Sequence, residues 1–282
     1  SGATAWALAQ PEPALPPPAG IDSRAVTPPT DTGERGHAKH PFLQMFLLAI
    51  VASAIGIAIV LVIDWFPPAA DSQAEQIDRQ WDVLMIVSVP IFVLVMLVAI
   101  YSVVRFRARP GDKGDGAPIH GNTRLEVVWV TIPFLIVSSL AAYGWVVLDD
   151  IEAKKPNELK VTVRSQQFNW SFEYPDNDKV RSAQLILPKD RPVDFDIESA
   201  DVIHSFWVPA FRMKQDAVPG LTTHTRVTPT RLGSYEVVCA ELCGLGHSTM
   251  RQGVRVIPPA EWDRWMADER KKKTQATGGG AQ

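Results

Sequence analysis

Two thiols, an imidazole and a thioether crowd one short stretch, Cys239-Ala240-Glu241-Leu242-Cys243-Gly244-Leu245-Gly246-His247-Ser248-Thr249-Met250. All four are soft or borderline metal ligands. Thiolate and thioether sulfur select copper, zinc or iron–sulfur centres and imidazole suits copper and zinc, so the set leans toward copper. A further imidazole stands upstream at His204, in Val202-Ile203-His204-Ser205-Phe206-Trp207. A single electron-transfer copper takes two histidines, one cysteine and a weak methionine. The second cysteine here points to two metals. The competing reading is a disulfide between the two cysteines, the only ones in the sequence, which an exported domain would form readily. His247 and Met250 at fixed spacing after the pair, with His204 on a separate segment, argue against it.

Ligands on two distant segments need a scaffold that brings loops together. From Leu159 onward the pattern is period two: Val161 and Val163 alternate with Thr162 and Arg164; Phe168, Trp170, Phe172 and Tyr174 share one face; Val193, Phe195 and Ile197 alternate with Asp194, Asp196 and Glu198. Ser182–Leu187, Thr222–Thr228, Ser234–Cys239 and Gln252–Ile257 are further strand candidates. The turn signals between them include Tyr174-Pro175-Asp176-Asn177-Asp178 and Val218-Pro219-Gly220. Many short strands in so short a span predict a β-sandwich or barrel, closed by a short helix over Ala260–Glu269.

The first half of the chain is a different material. Phe42–Ile63, Val83–Val104 and Val127–Leu148 carry no charge, and each, at about 22 residues, is long enough to cross a ~30 Å hydrocarbon layer as a helix. A cleavable signal peptide is the alternative for the first run, which exceeds an ordinary apolar h-region and follows a long Pro-rich leader. Pro90 and Pro133 fall inside the second and third runs, which membrane helices tolerate where neighbours satisfy the freed backbone groups. Arg105, Arg107, Arg109, Lys113 and Arg124 crowd the loop between these two helices, whereas Asp and Glu dominate residues 64–82. The basic loop therefore stays inside. With Arg24, Arg35 and Lys39 also inside, three crossings deliver the strand-rich half to the outer face.

The sequence of 282 residues has a formal net charge of -3, and its basic residues are scattered or flank apolar runs. Nucleic acid is not an expected partner. The expected division is a Pro-rich arm over 1–40, disordered or laid on a partner; a first membrane helix within 41–66; a membrane helical hairpin over 81–150; an outer domain over 151–269; and a disordered tail over 270–282.

The run His204-Ser205-Phe206-Trp207-Val208-Pro209, then Lys214-Gln215-Asp216-Ala217-Val218-Pro219-Gly220, then the cysteine loop resembles subunit II of the haem–copper cytochrome c oxidases. The likeness covers about two thirds of the chain. It implies a pair of transmembrane helices, which the first apolar run precedes as an addition to make three N-terminal transmembrane helices, followed by a cupredoxin-like Greek-key β-barrel. It also implies a dinuclear copper centre, CuA. Cys239 and Cys243 would bridge both coppers, His204 and Met250 complete one, and His247 and the backbone carbonyl of Glu241 the other. The Glu241 side chain would turn to a magnesium ion shared with subunit I. The partners implied are subunit I with its haem and CuB, subunit III, cytochrome c, and membrane lipid. The location implied is the bacterial plasma (inner) membrane, with the copper domain on the outer face. Gly246 stands where mitochondrial members usually carry Asn.

The resemblance assigns further roles that the residues alone leave open. Glu126, at the inner start of the third helix, matches the mouth of a proton pathway, but a carboxylate in a first helical turn is also favoured by the helix dipole. Asp201, Glu173, Asp176 and Asp190 would together form an acidic face steering cytochrome c, though each alone reads as a solvated carboxylate. Phe168 occupies the place of a family Trp at which electrons enter, beside Trp170, or else it continues the buried face of Trp170 and Phe172. The quinol-oxidase version of the subunit is a second reading, but those relatives lack the copper ligands present here. A membrane-anchored copper-binding or copper-delivery protein is a third. No Cys-x-x-Cys-His haem-attachment motif follows the copper loop, so the fused-cytochrome form is not expected.

Overall fold

The computed structural model describes residues 41–107, 111 and 121–278. The arm over 1–40, Arg109 and Lys113 of the basic loop, and the last residues of the tail lie outside the described residues. The chain divides into Ser1–Phe42 and Leu43–Gln282, and every described element lies in the second unit apart from the first two residues of the first helix.

Three apolar helices come first: α1 (Pro41–Val62), α2 (Ala74–Phe106) and α3 (Thr123–Glu152), each long and apolar enough to cross a membrane. At 1.5 Å per residue, the 33 residues of α2 reach about 50 Å, well beyond the hydrocarbon thickness. Its polar first turns, with Glu75, Gln76, Asp78 and Arg79, therefore stand clear of the lipid. Pro90 and Pro133 lie within α2 and α3. Gly56 lets α1 approach α2, since a Cβ there would meet Val89 Cγ1 at 2.7 Å. At their outer ends α2 and α3 are tied by Gln73 Nε2 donating to the Ile151 carbonyl and Gln76 Nε2 to Asp150, both at 2.7 Å.

The loop between α1 and α2 grips the second half of the chain. Ala70 N–H donates to the Ala210 carbonyl at 2.9 Å and its carbonyl accepts from Thr230 N–H at 2.9 Å, while Ser72 N–H donates to Thr228 O at 3.0 Å. Arg212 forks onto Asp78 of α2 at 2.7 and 3.0 Å and stacks over Phe66 at 4.8 Å. A bidentate pair backed by an aromatic ring fixes orientation as well as contact.

Among the described residues, ten strands form two five-stranded sheets. The first runs β3 (Val180–Ser182), β2 (Asn169–Tyr174), β1 (Leu159–Gln166), β5 (Val193–Ser199), β8 (Thr223–Val227); the second runs β4 (Leu185–Pro188), β10 (Arg251–Ile257), β9 (Gly233–Cys239), β6 (His204–Val208), β7 (Met213–Ala217). The pairs β1–β5 and β4–β10 are parallel and the rest antiparallel. Trp170, Phe172, Tyr174, Phe195, Phe206 and Phe211 fill the space between the sheets. Burial holds the Tyr174 phenol above its ordinary pKa, and its hydroxyl both donates to Ile186 O at 2.8 Å and accepts from Ile186 N–H at 2.9 Å. The fold is thus a membrane-anchored, cupredoxin-like β-sandwich.

Several elements differ from expectation: neither β6, which carries His204, nor β7 was among the expected strands. Ser182–Leu187 is not one strand. Gln184 N–H bonds to Ser182 Oγ at 3.1 Å and turns the chain, so β3 ends one sheet and β4 starts the other. The closing helix, α4, spans Pro259–Gly278, well past Glu269, so the tail expected to be disordered over 270–282 is helical as far as Gly278. Arg270 pairs with Asp178 at 2.9 Å and with the Asn177 side chain at 2.9 Å, contacts that helical periodicity alone does not reveal.

Candidate metal centre

Strand pairing assembles the site. β6 runs antiparallel to β9 with Phe206 opposite Cys239, and Ala240 N–H donates to Ser205 O at 3.0 Å. His204 is thereby fixed beside the end of β9. The loop from β9 to β10 closes on itself through Cys239 N–H to Met250 O at 3.1 Å. Inside it, one 3-10 turn over His247–Thr249 is held by His247 N–H to Gly244 O and Thr249 N–H to Gly246 O, each at 3.1 Å.

The ligand atoms converge. Cys239 and Cys243 are free, with sulfurs 3.9 Å apart, nearly twice the ~2.05 Å of a disulfide. Cys239 Sγ lies 3.9 Å from His204 Nδ1 and its thiol donates to the Glu241 carbonyl at 3.3 Å. Cys243 Sγ lies 3.7 Å from His247 Nδ1 and 3.8 Å from Met250 Sδ. A metal ~2.3 Å from sulfur and ~2.0 Å from nitrogen can join any of these pairs without moving the backbone. The disulfide reading fails on distance, and the donor set fits copper.

Four of the ligand residues are buried, and one imidazole is oriented from behind. His204, Met250 and both cysteines are buried. Trp170 packs edge-on to the His204 ring at 6.1 Å. His204 Nε2 is 2.8 Å from Asp201 Oδ1, leaving Nδ1 for the metal, the division of labour expected of a ligating imidazole. Burial works against the Asp201 carboxylate, yet bonds from Gln167 N–H, His204 and Val202 N–H hold its pKa below the ordinary range. Desolvation first, and then the neighbouring Cys239, raise the Cys243 thiol to about 11. Metal uptake at neutral pH must therefore displace a proton from it.

The other proposed residues fall in different places. Phe168 forms the tip between β1 and β2 and is 39% exposed, whereas Trp170, Phe172 and Tyr174 are buried; of the four, only Phe168 leaves the core face. Trp170 therefore touches a ligand rather than the surface. Asp201 adjoins the site, but Glu173, Asp176 and Asp190 do not. At ~3.3 Å per residue, Glu173 and Asp176 lie at the far end of β2, and Asp190 precedes β5, which runs from there toward Asp201. Glu173 is also paired with Arg181 at 2.6 Å. Glu126 Oε1 accepts from Asn122 N–H at 3.3 Å while Asn122 Oδ1 accepts from Leu125 N–H at 3.2 Å, a reciprocal helix cap.

Asp194, Asp196 and His224 also bring ligand atoms within 4.8 Å of one another. Lys160 and Arg226 already neutralise Asp194, and His224 pairs with Asp196 at 2.8 Å. Fixed cations there oppose an added one. Sequence reasoning missed Gln167, whose side-chain amide donates to the Cys243 carbonyl. Nothing in its type or spacing announces that contact.

A family model described as "Cytochrome C oxidase subunit II, periplasmic domain" matches residues 181–257, and one described as "Cytochrome C oxidase subunit II, transmembrane domain" matches residues 54–147. Cytochrome c oxidase subunit 2 of Synechocystis is 32% identical over 273 residues, covering 78% of this chain and 82% of the relative. That of Thermostichus vulcanus is 33% identical over 271 residues, covering 74% and 82%. Quinol oxidase subunit 2 of Bacillus subtilis is 31% identical over 245 residues, covering 84% and 74%.

Proposed function

The chain belongs to the cytochrome c oxidase subunit 2 family, and on that premise we propose that it accepts electrons from cytochrome c at a dinuclear CuA centre. It is the electron-accepting subunit of a membrane oxidase, passing electrons to haem in subunit I, where dioxygen is reduced to water with proton pumping. In this reading dioxygen reduction belongs to subunit I. The carrying observation is the convergence of buried Cys239, Cys243, His204 and Met250 with the half-buried His247 and the Glu241 carbonyl. A full copper-ligand set favours cytochrome c over quinol as donor.

Copper, when bound, supplies the one-electron chemistry. Cys239 and Cys243 would hold both ions through their sulfurs, His204 and Met250 one, His247 and the Glu241 carbonyl the other. The residues around them keep water out and fix the imidazoles, so that little need move when charge arrives. Trp170 walls one side and Asp201 sets the His204 ring. Glu241 is exposed, leaving its carboxylate free for a magnesium ion shared with subunit I.

The chain sits in the bacterial plasma membrane with its copper domain on the outer face. In our reading 41–66 and 81–150 anchor it against subunits I and III and lipid, 151–269 carry copper, and 1–40 are a Pro-rich arm, disordered or laid on a partner. Phe168 marks where electrons enter, and Glu126 the inner mouth of a proton path. Purification from native membranes with associated subunits tests the proposal. Haem bands, about two coppers in this chain and cytochrome c oxidation support it; a copper-loaded chain with no haem partner and no turnover would favour copper delivery.

A further inference from the structure

We infer that Gln167 is a positioning residue that ties together the two ligand-bearing segments of the copper centre; the inference rests on the copper reading of the site. β1 ends at Gln166 and β2 starts at Asn169, so Gln167 and Phe168 form the tip of a tight hairpin. That tip reaches both segments at once. The Gln167 backbone N–H donates to Asp201 Oδ2 at 2.7 Å, and the other oxygen of the same carboxylate holds His204 Nε2 at 2.8 Å. The Gln167 side-chain Nε2–H donates to the carbonyl of Cys243.

Strand pairing secures only one side of the site. Cys239 ends β9 and is locked to β6, whereas Cys243 stands in the middle of the loop, beyond the ladder. The amide of Gln167 is what reaches it. The loop is shaped to admit that contact: a Cβ on Gly244, where φ is +131°, would stand 3.0 Å from Gln167 Nε2 and 3.3 Å from the Phe168 ring. One residue thus sets the distance between the His204 side and the Cys243 side, through two donors that point in different directions. Groups that orient metal ligands from behind change affinity by ~10–100-fold when lost.

The test uses the full chain in detergent, loaded with copper ions. Gln167→Met keeps the length and the backbone N–H but removes the side-chain donor; Gln167→Glu places an ionised acceptor against the carbonyl. Both variants should still take up copper, lose it to a chelator about 10-fold faster than the parent or more, and show altered copper hyperfine splitting by electron paramagnetic resonance. Their metal-free melting should match the parent, because the tip is exposed; a lower metal-free melting with parent-like chelator loss would make Gln167 a folding residue and overturn the inference. Should Gln167→Met not fold, Gln167→Glu decides alone. Parent-like chelator loss and spectra in the variants would likewise overturn it. A parent chain that takes up no copper would refute the copper reading instead.

Discussion

The ring of Phe168 lies so close against Gly246 that a Cβ on that glycine would stand 2.5 Å from the ring's Cγ and Cδ2. The two residues touch at the copper loop. Gly246→Asn must push the ring outward. Because Phe168 is already partly exposed, the cost should fall near the lower end of the ~1–3 kcal/mol of overpacking. Phe168→Leu and Gly246→Asn should each slow electron transfer from bound cytochrome c in rapid-mixing experiments, and the double variant should be no slower than the slower single one. Additive slowing would mean that the two act separately.

Cys243→Ser should leave the sandwich folded, since the residue lies in a loop outside the ladder. The centre itself should collapse to at most one copper with hyperfine splitting from a single nucleus. Metal analysis with electron paramagnetic resonance checks both. Two coppers with a delocalised spin in the variant would remove Cys243 from the bridging role.

Glu126 separates two roles by two substitutions. Glu126→Gln keeps an oxygen to accept from Asn122 N–H, so the cap stays within a few tenths of the parent, whereas Glu126→Ala loses it at about 0.5–1 kcal/mol. If Glu126 gathers protons, both variants slow turnover of the assembled oxidase by a similar factor with an unchanged copper spectrum. Slowing in Ala but not in Gln would leave the capping role alone.

The chemistry was legible because it depends on residue type: sulfur and imidazole at Cys239, Cys243, His247, Met250 and His204 announce a metal wherever the backbone runs. The three apolar helices were legible because about 22 uninterrupted apolar residues are long enough to cross a membrane as a helix. What stayed hidden was set by tertiary contact. Period two marked Val161, Trp170 and Phe195 as inward, but it gave no reason for the chain to change sheets at Gln184 or for Phe168 to leave the face of Trp170. The docking carboxylates were grouped by proximity in sequence, and strands send such neighbours to opposite ends. Gln167 is an ordinary polar residue until the fold places Cys243 beside it.

Asp71 couples the anchor to the copper domain and should make that junction sensitive to pH. Desolvation by burial raises its carboxyl from 3.8 to about 6, against opposing bonds from the backbone N–H groups of Thr228, Gln73 and Ser72 and the charge of Lys155. A raised folded-state pKa means the folded chain binds the proton more tightly. The contribution is full below about pH 3.8 and is lost as pH rises through about 6. The loss is ~3 kcal/mol at most. Melting of the metal-free chain in detergent should therefore decline from pH 4 to 6 more steeply in the parent than in Asp71→Asn. Parallel profiles would show that Asp71 does not titrate in this range.

Asp201 is where the docking and positioning readings make opposite demands. As a steering charge, its removal should flatten the fall of kcat/KM for cytochrome c with salt, as the Debye length shrinks from ~30 Å at 0.01 M to ~8 Å at 0.15 M. The carboxylate also accepts from Gln167 N–H, Val202 N–H and His204 Nε2 at 2.7, 2.7 and 2.8 Å; it keeps its charge, but one charge adds little to steering by the whole field, and its position serves a ligand. Asp201→Asn should alter the copper spectrum and leave the salt slope nearly unchanged. Asp176→Asn and Asp190→Asn should change neither, because both lie at strand ends remote from the loop. If the exposed apolar side chains of Phe168, Leu242 and Leu245, the last two 78% and 105% exposed, meet cytochrome c, Leu245→Ser should raise KM more than any of these carboxylate changes. A flattened slope with an unaltered spectrum in Asp201→Asn would return that residue to the docking surface.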